Sequence, residues 1–379
     1  MGLLQFFLTL VISCLNMAPL MTARMILPLV LLQTGASAGF VGLLSAMFTA
    51  PPIVFNVVFG RWVDRTGTFR PMLVATLLLA FPSLILLFSD ASLTFLLVAG
   101  LIGSGGVFSH IAATRAVGEI SSDLKRARNL GLLIAGYSIA QFTGPTISGL
   151  ILEHFGQNMA YISIGFLSVF GFCLLLLPWH AFRQWAKHRD ATVARSRIRE
   201  LVRVPGLKRW LAVNTVTSGA MTTFPLIVAL QSAEIGMSAS QAGFSLGAFS
   251  IATVASRALT GPVSARFPAT TAVSSMLAAG AVLFVSIAYV ETFAPFVMTC
   301  AALGLVLGMC APFVLSVIYA LAPSARVNEV IGLSMTLTNT MQTILPLSLG
   351  ILATGFGTSA ISWMLAGLML GAINMSIRS

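Results

Sequence analysis

Gly35-Ala36-Ser37-Ala38-Gly39-Phe40-Val41-Gly42 returns, 201 positions later, as Gly236-Met237-Ser238-Ala239-Ser240-Gln241-Ala242-Gly243, with Gly, Ser, Ala and Gly at matching places. The same shift carries Gly60 and Arg65 onto Gly261 and Arg266. It also carries Gly131, Gln141, Pro145 and Gly149 onto Gly332, Gln342, Pro346 and Gly350. The chain therefore reads as two related halves. With 57% hydrophobic and 8% charged residues and a mean hydropathy of +0.97, it has too little polar surface to cover a water-soluble globule. A duplicated, almost wholly apolar chain is the pattern of a secondary transporter whose site lies between its halves.

Hydrocarbon about 30 Å thick needs roughly 20 apolar residues per helix. Twelve candidate spans lie near 4–31, 39–60, 72–88, 93–119, 127–152, 158–180, 209–231, 239–260, 270–289, 294–322, 329–353 and 358–376. The expected fold is all-α, with two pseudo-symmetric six-helix bundles, 1–180 and 208–379, joined by a basic linker over 181–207. No charged residue precedes the first span and no cleavage region follows it, so it is expected to be retained and not removed as a signal peptide.

Charge placement sets the orientation. With a cytoplasmic amino terminus, the inner loops hold Arg61, Arg65, Arg70, Lys125, Arg126, Arg128, Arg266 and Arg326. The outer turns hold only Asp90, Glu153, Glu234 and Glu291. This obeys the positive-inside rule and puts both termini in the cytoplasm. The net charge of +11 needs no nucleic acid, because these residues meet anionic inner-leaflet headgroups. The linker reads as a solvated surface helix.

Between the second and third spans runs Gly60-Arg61-Trp62-Val63-Asp64-Arg65-Thr66-Gly67-Thr68-Phe69-Arg70. It resembles the loop signature of the major facilitator superfamily: Gly, three residues, Asp-Arg, any, Gly, any, then a basic residue. The resemblance extends over the chain in architecture. It implies that this loop latches the two bundles on the cytoplasmic side, with the acidic residue ending the fourth helix, here Glu119, partnering the loop arginines. The implied gate is Gly60, Asp64, Arg65, Gly67, Arg70, Arg115 and Glu119; a static ion-pair network is the alternative. The second-half copy has Ala265 where Asp64 stands.

In the fifth span, Gly131, Ala140, Gly144, Pro145, Ser148 and Gly149 resemble the antiporter motif of the drug and metabolite exporters of that family, with Ala140 and Ser148 as small replacements for glycine. The resemblance implies export. Small residues four apart let helices approach, and Gly-Pro bends the chain, so ordinary packing remains the alternative.

All ten acidic residues can be placed at helix ends or in loops, which weakens a standard drug–proton antiport. What remains within the spans is Arg24, His110 and Arg257. A charge at that depth costs at least about 2.5 kcal/mol and normally faces a cavity or partner. Arg24 is the candidate for pairing with a substrate anion, against snorkelling to headgroups. His110 is the candidate proton carrier, against a packing role. Gln141, Gln342, Asn339 and Asn16 are the uncharged candidates for substrate binding. No ATP-binding loop, nucleophile–base pair or metal-ligand spacing is present, and Cys14, Cys173, Cys300 and Cys310 all fall within apolar spans. The chain is expected to be no enzyme, without cofactor or metal: a monomeric multi-pass protein of a bacterial-type inner membrane. Its partners would be lipid, a small amphipathic molecule, anionic if Arg24 pairs with it, and a proton or other coupling ion. Proton-driven export leads. Uptake or facilitation of an organic anion, and a non-transporting receptor or assembly protein on the same fold, are the alternatives.

Overall fold

The computed structural model describes residues 2–120, 123–176, 204–323 and 327–377; most of the expected linker lies outside them. These residues are almost entirely helical, in the order α1 Gly2–Gln33, α2 Ala38–Met47, α3 Ala50–Thr66, α4 Phe69–Ala80, a 3₁₀ turn Pro82–Leu87, α5 Ser92–Ile120 and α6 Asp123–Leu176. Then come α7 Leu207–Glu234, α8 Ala239–Arg266, α9 Ala269–Ile287, α10 Phe293–Leu321, α11 Val327–Phe356 and α12 Ser359–Ile377. Among the described residues, ten helical stretches are long and apolar enough to cross a membrane. With no water in hydrocarbon to satisfy the backbone, helices are what such a sequence can form.

Three departures from unbroken spans have local causes. The expected span 39–60 is divided at Phe48-Thr49, just before Pro51 and Pro52, because proline lacks the amide that would continue the ladder. The expected span 72–88 ends as α-helix at Ala80 and finishes in the 3₁₀ turn that starts at Pro82. The 54 residues of α6 reverse at Gly156, whose φ of 78° suits glycine. The Ser163 hydroxyl reaches Ser148 Oγ across that reversal at 3.2 Å, so α6 is two antiparallel arms.

Two compact units make up the chain. One comprises Met1–Thr34, Met47–Thr192 and Ser238–Gly247, the other Gly35–Ala46, Val193–Met237 and Ala248–Ser379. In the first unit α1 packs along α6 and α5, and α4 along α5. Phe59 stacks on Phe108 with ring centroids 4.0 Å apart, tying α3 to α5. In the second, α9 packs on α10 and α12, and α7 on α10, α11 and α12. Phe224 stacks on Phe249 at 4.2 Å. Large apolar side chains such as Phe88, Phe170, Val282 and Trp363 are exposed, as suits surfaces facing acyl chains.

Candidate functional site

The polar interior of the first unit centres on Asn16, which is fully buried. Its amide nitrogen donates to Thr76 Oγ1 at 2.8 Å and Ser109 Oγ at 3.1 Å, and its carbonyl oxygen accepts from Ser168 at 3.1 Å. One asparagine thus joins α1 to α4, α5 and the second arm of α6, with its amide taken up by neighbours. In the second unit Asn214 ties α7 to α11 alone, donating to Ser334 at 3.0 Å and Thr338 at 3.2 Å.

Arg24 stands on α1 with its side chain partly exposed. Its guanidinium carbon is 5.9 Å from the centroid of the Phe48 ring, within reach of a cation–π contact. Among the described residues, no carboxylate or other hydrogen-bond acceptor is paired with it. Phe48 is buried, so the ring backs a guanidinium that carries five N–H donors.

His110, on α5, is exposed. Its ring centroid lies 5.5 Å from that of Tyr137 on the first arm of α6, tilted by 50°. Sequence reasoning did not single out Tyr137; its place against His110 depends on two helices meeting, which residue spacing does not report. Gln141, Gln342 and Asn339 are all partly exposed. Gln141 is in the first unit and the other two on α11 in the second. Arg257 on α8 is exposed. A separate apolar cleft of about 480 Å³ lies between α1 and both arms of α6, lined by Ile147, Ile151, Phe155 and Ile162 with Thr22 and Ser148; none of its lining residues is charged.

In the loop motif, Gly67 ends α3 with φ 77° and its N–H bonds to Val63 O at 3.0 Å. Arg65 and Arg70 are exposed and Arg115 is partly exposed, while the side chains of Asp64 and Glu119 lie outside the described residues. Nothing lies within 4 Å of where a Cβ on Gly60 would be.

The glycines of the motif in α6 fall into two kinds. A Cβ on Gly131 would meet nothing within 4 Å, whereas one on Gly144 would lie 2.9 Å from Thr22 Oγ1 and one on Gly149 2.5 Å from the Ala239 carbonyl oxygen. The start of α8 answers with Gly243, whose Cβ would be 2.5 Å from the Pro145 carbonyl oxygen. In the second unit the repeat-related contact is built from Gly42, where a Cβ would stand 2.6 Å from Pro346 O and 2.7 Å from Gly350 Cα. Close helix approach is what these small residues permit.

Among the described residues, no group of His, Cys, Asp and Glu could hold a metal ion. The sequence profile of the Major Facilitator Superfamily matches residues 9–233. An uncharacterized MFS-type transporter of Yersinia enterocolitica is 26% identical over 151 residues, 40% of this chain and 39% of that protein. Another, of Escherichia fergusonii, is 26% identical over 152 residues, again 40% and 39%. The vesicular acetylcholine transporter of Mus musculus is 23% identical over 184 residues, 48% of this chain and 33% of that protein. The chain thus spans less than half the length of these relatives.

Proposed function

The chain belongs to the Major Facilitator Superfamily of membrane transporters, and we propose that it is a secondary active exporter of a small amphipathic organic molecule bearing a negative group, driven by proton antiport. In this reading residues 1–180 and 208–379 rock against each other about the central site, the 181–207 linker lies on the cytoplasmic surface, and both termini are cytoplasmic. Twelve crossings, a bacterial-type inner membrane and a monomer complete the proposal. The loop around Asp64, Arg65 and Arg70, with Arg115 and Glu119, is the cytoplasmic gate.

The observation that carries the substrate charge is Arg24. A cation within a membrane span, held against the Phe48 ring at 5.9 Å and without an anionic partner among the described residues, is stabilised by a ligand that brings one. The planar guanidinium matches a carboxylate or phosphate in a two-bond fork that lysine cannot form. Gln141, Gln342 and Asn339 supply uncharged hydrogen-bonding groups. Acetylcholine, which the vesicular relative is named for, is a cation, and Arg24 argues against a cationic cargo here. His110, exposed and beside Tyr137, is the group that can change charge near neutral pH. Export rests on the resemblance of Gly131, Gly144, Pro145 and Gly149 to the antiporter motif. Uptake of an organic anion is the second reading, since Arg24 would serve it equally.

The test is binding of amphiphilic carboxylates and their uncharged amide counterparts to the purified protein. A charge-assisted bond is worth about 1.5–3 kcal/mol, so carboxylates should bind roughly 10- to 150-fold more tightly; Arg24→Ala should remove that preference, and Arg24→Lys, which keeps the charge but not the fork, should reduce it. Equal binding of carboxylates and amides, unchanged in both variants, would refute the substrate charge.

A further inference from the structure

The amino end of α8 has more partners than its own residues supply. Ser238 and Gln241 close a reciprocal cap: the Ser238 N–H donates to Gln241 Oε1 at 3.1 Å and the Gln241 N–H to Ser238 Oγ at 3.3 Å. The next amide, Ser240 N–H, donates at 3.0 Å to Glu153 Oε2, a residue 87 positions away at the end of the first arm of α6. Glu153 stands at the end of a row of close contacts along the same two helices. Gly149 lies on the Ala239 carbonyl, Gly243 on the Pro145 carbonyl, and the Thr146 hydroxyl donates to Gly243 O at 3.3 Å.

The 201-residue repeat duplicates this row but not its carboxylate. Glu153 corresponds to Thr354 and Ser240 to Gly39. A Cβ on Gly39 would stand 3.2 Å from Thr354 Cγ2, an apolar touch where the first unit has an anion on a helix amino end. The glycine packing is common to both contacts, and the charge belongs to one.

We propose that Glu153 is a positioning residue of the transport cycle: a charged clasp on the amino end of α8 that sets how often the outer contacts of α6 with α8 and of α2 with α11 part. This rests on the alternating-access reading above. A carboxylate at a helix amino end gains both from the unpaired amides and from the helix dipole. The Ser240 hydroxyl, the Ser238 hydroxyl and the Ser240 amide hold the Glu153 carboxyl below the usual carboxylate range, against a smaller opposing effect of burial. The contact is therefore fully present above the free carboxylate value of about 4.3 and is lost only as pH falls through the lowered one. At neutral pH the clasp is constant, so Glu153 sets an equilibrium and does not carry the coupling proton.

The test is amide hydrogen exchange, read by mass spectrometry at pH 7 on the full chain in lipid nanodiscs, over residues 238–247 and 37–46. Glu153→Gln keeps an acceptor oxygen and removes the charge. Ser240→Pro removes the donor amide at a first-turn position where proline is tolerated. Each is expected to raise exchange about two- to fivefold in both segments, and the double variant no further than the larger single effect. A rise confined to 238–247 would mean that Glu153 only caps its own neighbour helix, and no rise in either would mean that the clasp carries no weight; both outcomes overturn the proposal. Since the readout needs no substrate, absent flux in reconstituted vesicles would count against transport separately.

Discussion

Gly149→Ala should change the protein's conformational balance far more than its chemistry suggests. The added Cβ would lie 2.5 Å from the Ala239 carbonyl oxygen and 3.1 Å from Met25 Cε. A comfortable carbon–oxygen contact is about 3.3 Å or more, so the surfaces must part by roughly 0.8 Å. The methionine end can swing away, but the carbonyl belongs to the first turn of α8 and cannot. Overpacking of this kind costs about 1–3 kcal/mol, equivalent to a 5- to 150-fold shift away from the state in which Gly149 sits on Ala239. Alanine's intrinsic helix preference of about 0.5–1 kcal/mol applies in every folded state and does not offset that shift. Gly131 is the control in the same helix and motif: with nothing within 4 Å of its Cβ, Gly131→Ala should be neutral or slightly stabilising. Hydrogen exchange over residues 238–247, alongside thermal melting of both variants, measures the difference. If the two substitutions behaved alike, close packing would not explain the motif.

Three further outcomes are expected. Asn16→Leu breaks three buried side-chain bonds; at about 0.6 kcal/mol each in a membrane protein the variant should lose roughly 2 kcal/mol, seen as a lower melting temperature, with ligand affinity per folded molecule unchanged. His110→Gln should abolish any pH dependence of flux near neutrality, and flux that kept its profile would exclude His110 as the coupling group. Protection of residues 238–247, corrected for the intrinsic pH dependence of exchange, should stay level from pH 8 to about 5 and fall below about 4.3, because the surrounding hydroxyls and amide favour the ionised form of Glu153; a midpoint near 6 or 7 would refute that assignment.

Much of the architecture was legible because lipid imposes one rule on every span. Helix character follows from the apolar runs, and the 201-residue repeat pairs Gly149 with Gly350 and Gly42 with Gly243, positions that the structure uses in close contacts. Helix interruptions were not anticipated, although Pro51, Pro52 and Pro82 stand where the helices break or change pitch. What could not be read was partnership. Asn16 could be read as a ligand-binding group or as a bridge between helices, and its bonds to three helices exist only once they are packed. Glu153 looked like an ordinary outer-turn charge, and its bond to Ser240 brings together residues 87 positions apart. Arg24 stood out for the opposite reason, because a charge inside an apolar run is conspicuous whatever surrounds it.

Whether the protein is a proton-driven carrier that recognises a negative group through Arg24 can be read from proton movement in proteoliposomes of the purified protein, followed with a lumenal pH dye as anionic, neutral and cationic amphiphiles are added in turn. The anionic set alone should drive proton movement, opposite in direction to the cargo, and Arg24→Ala should abolish it. Proton movement driven by the cationic or neutral set, and undiminished in Arg24→Ala, would contradict that reading.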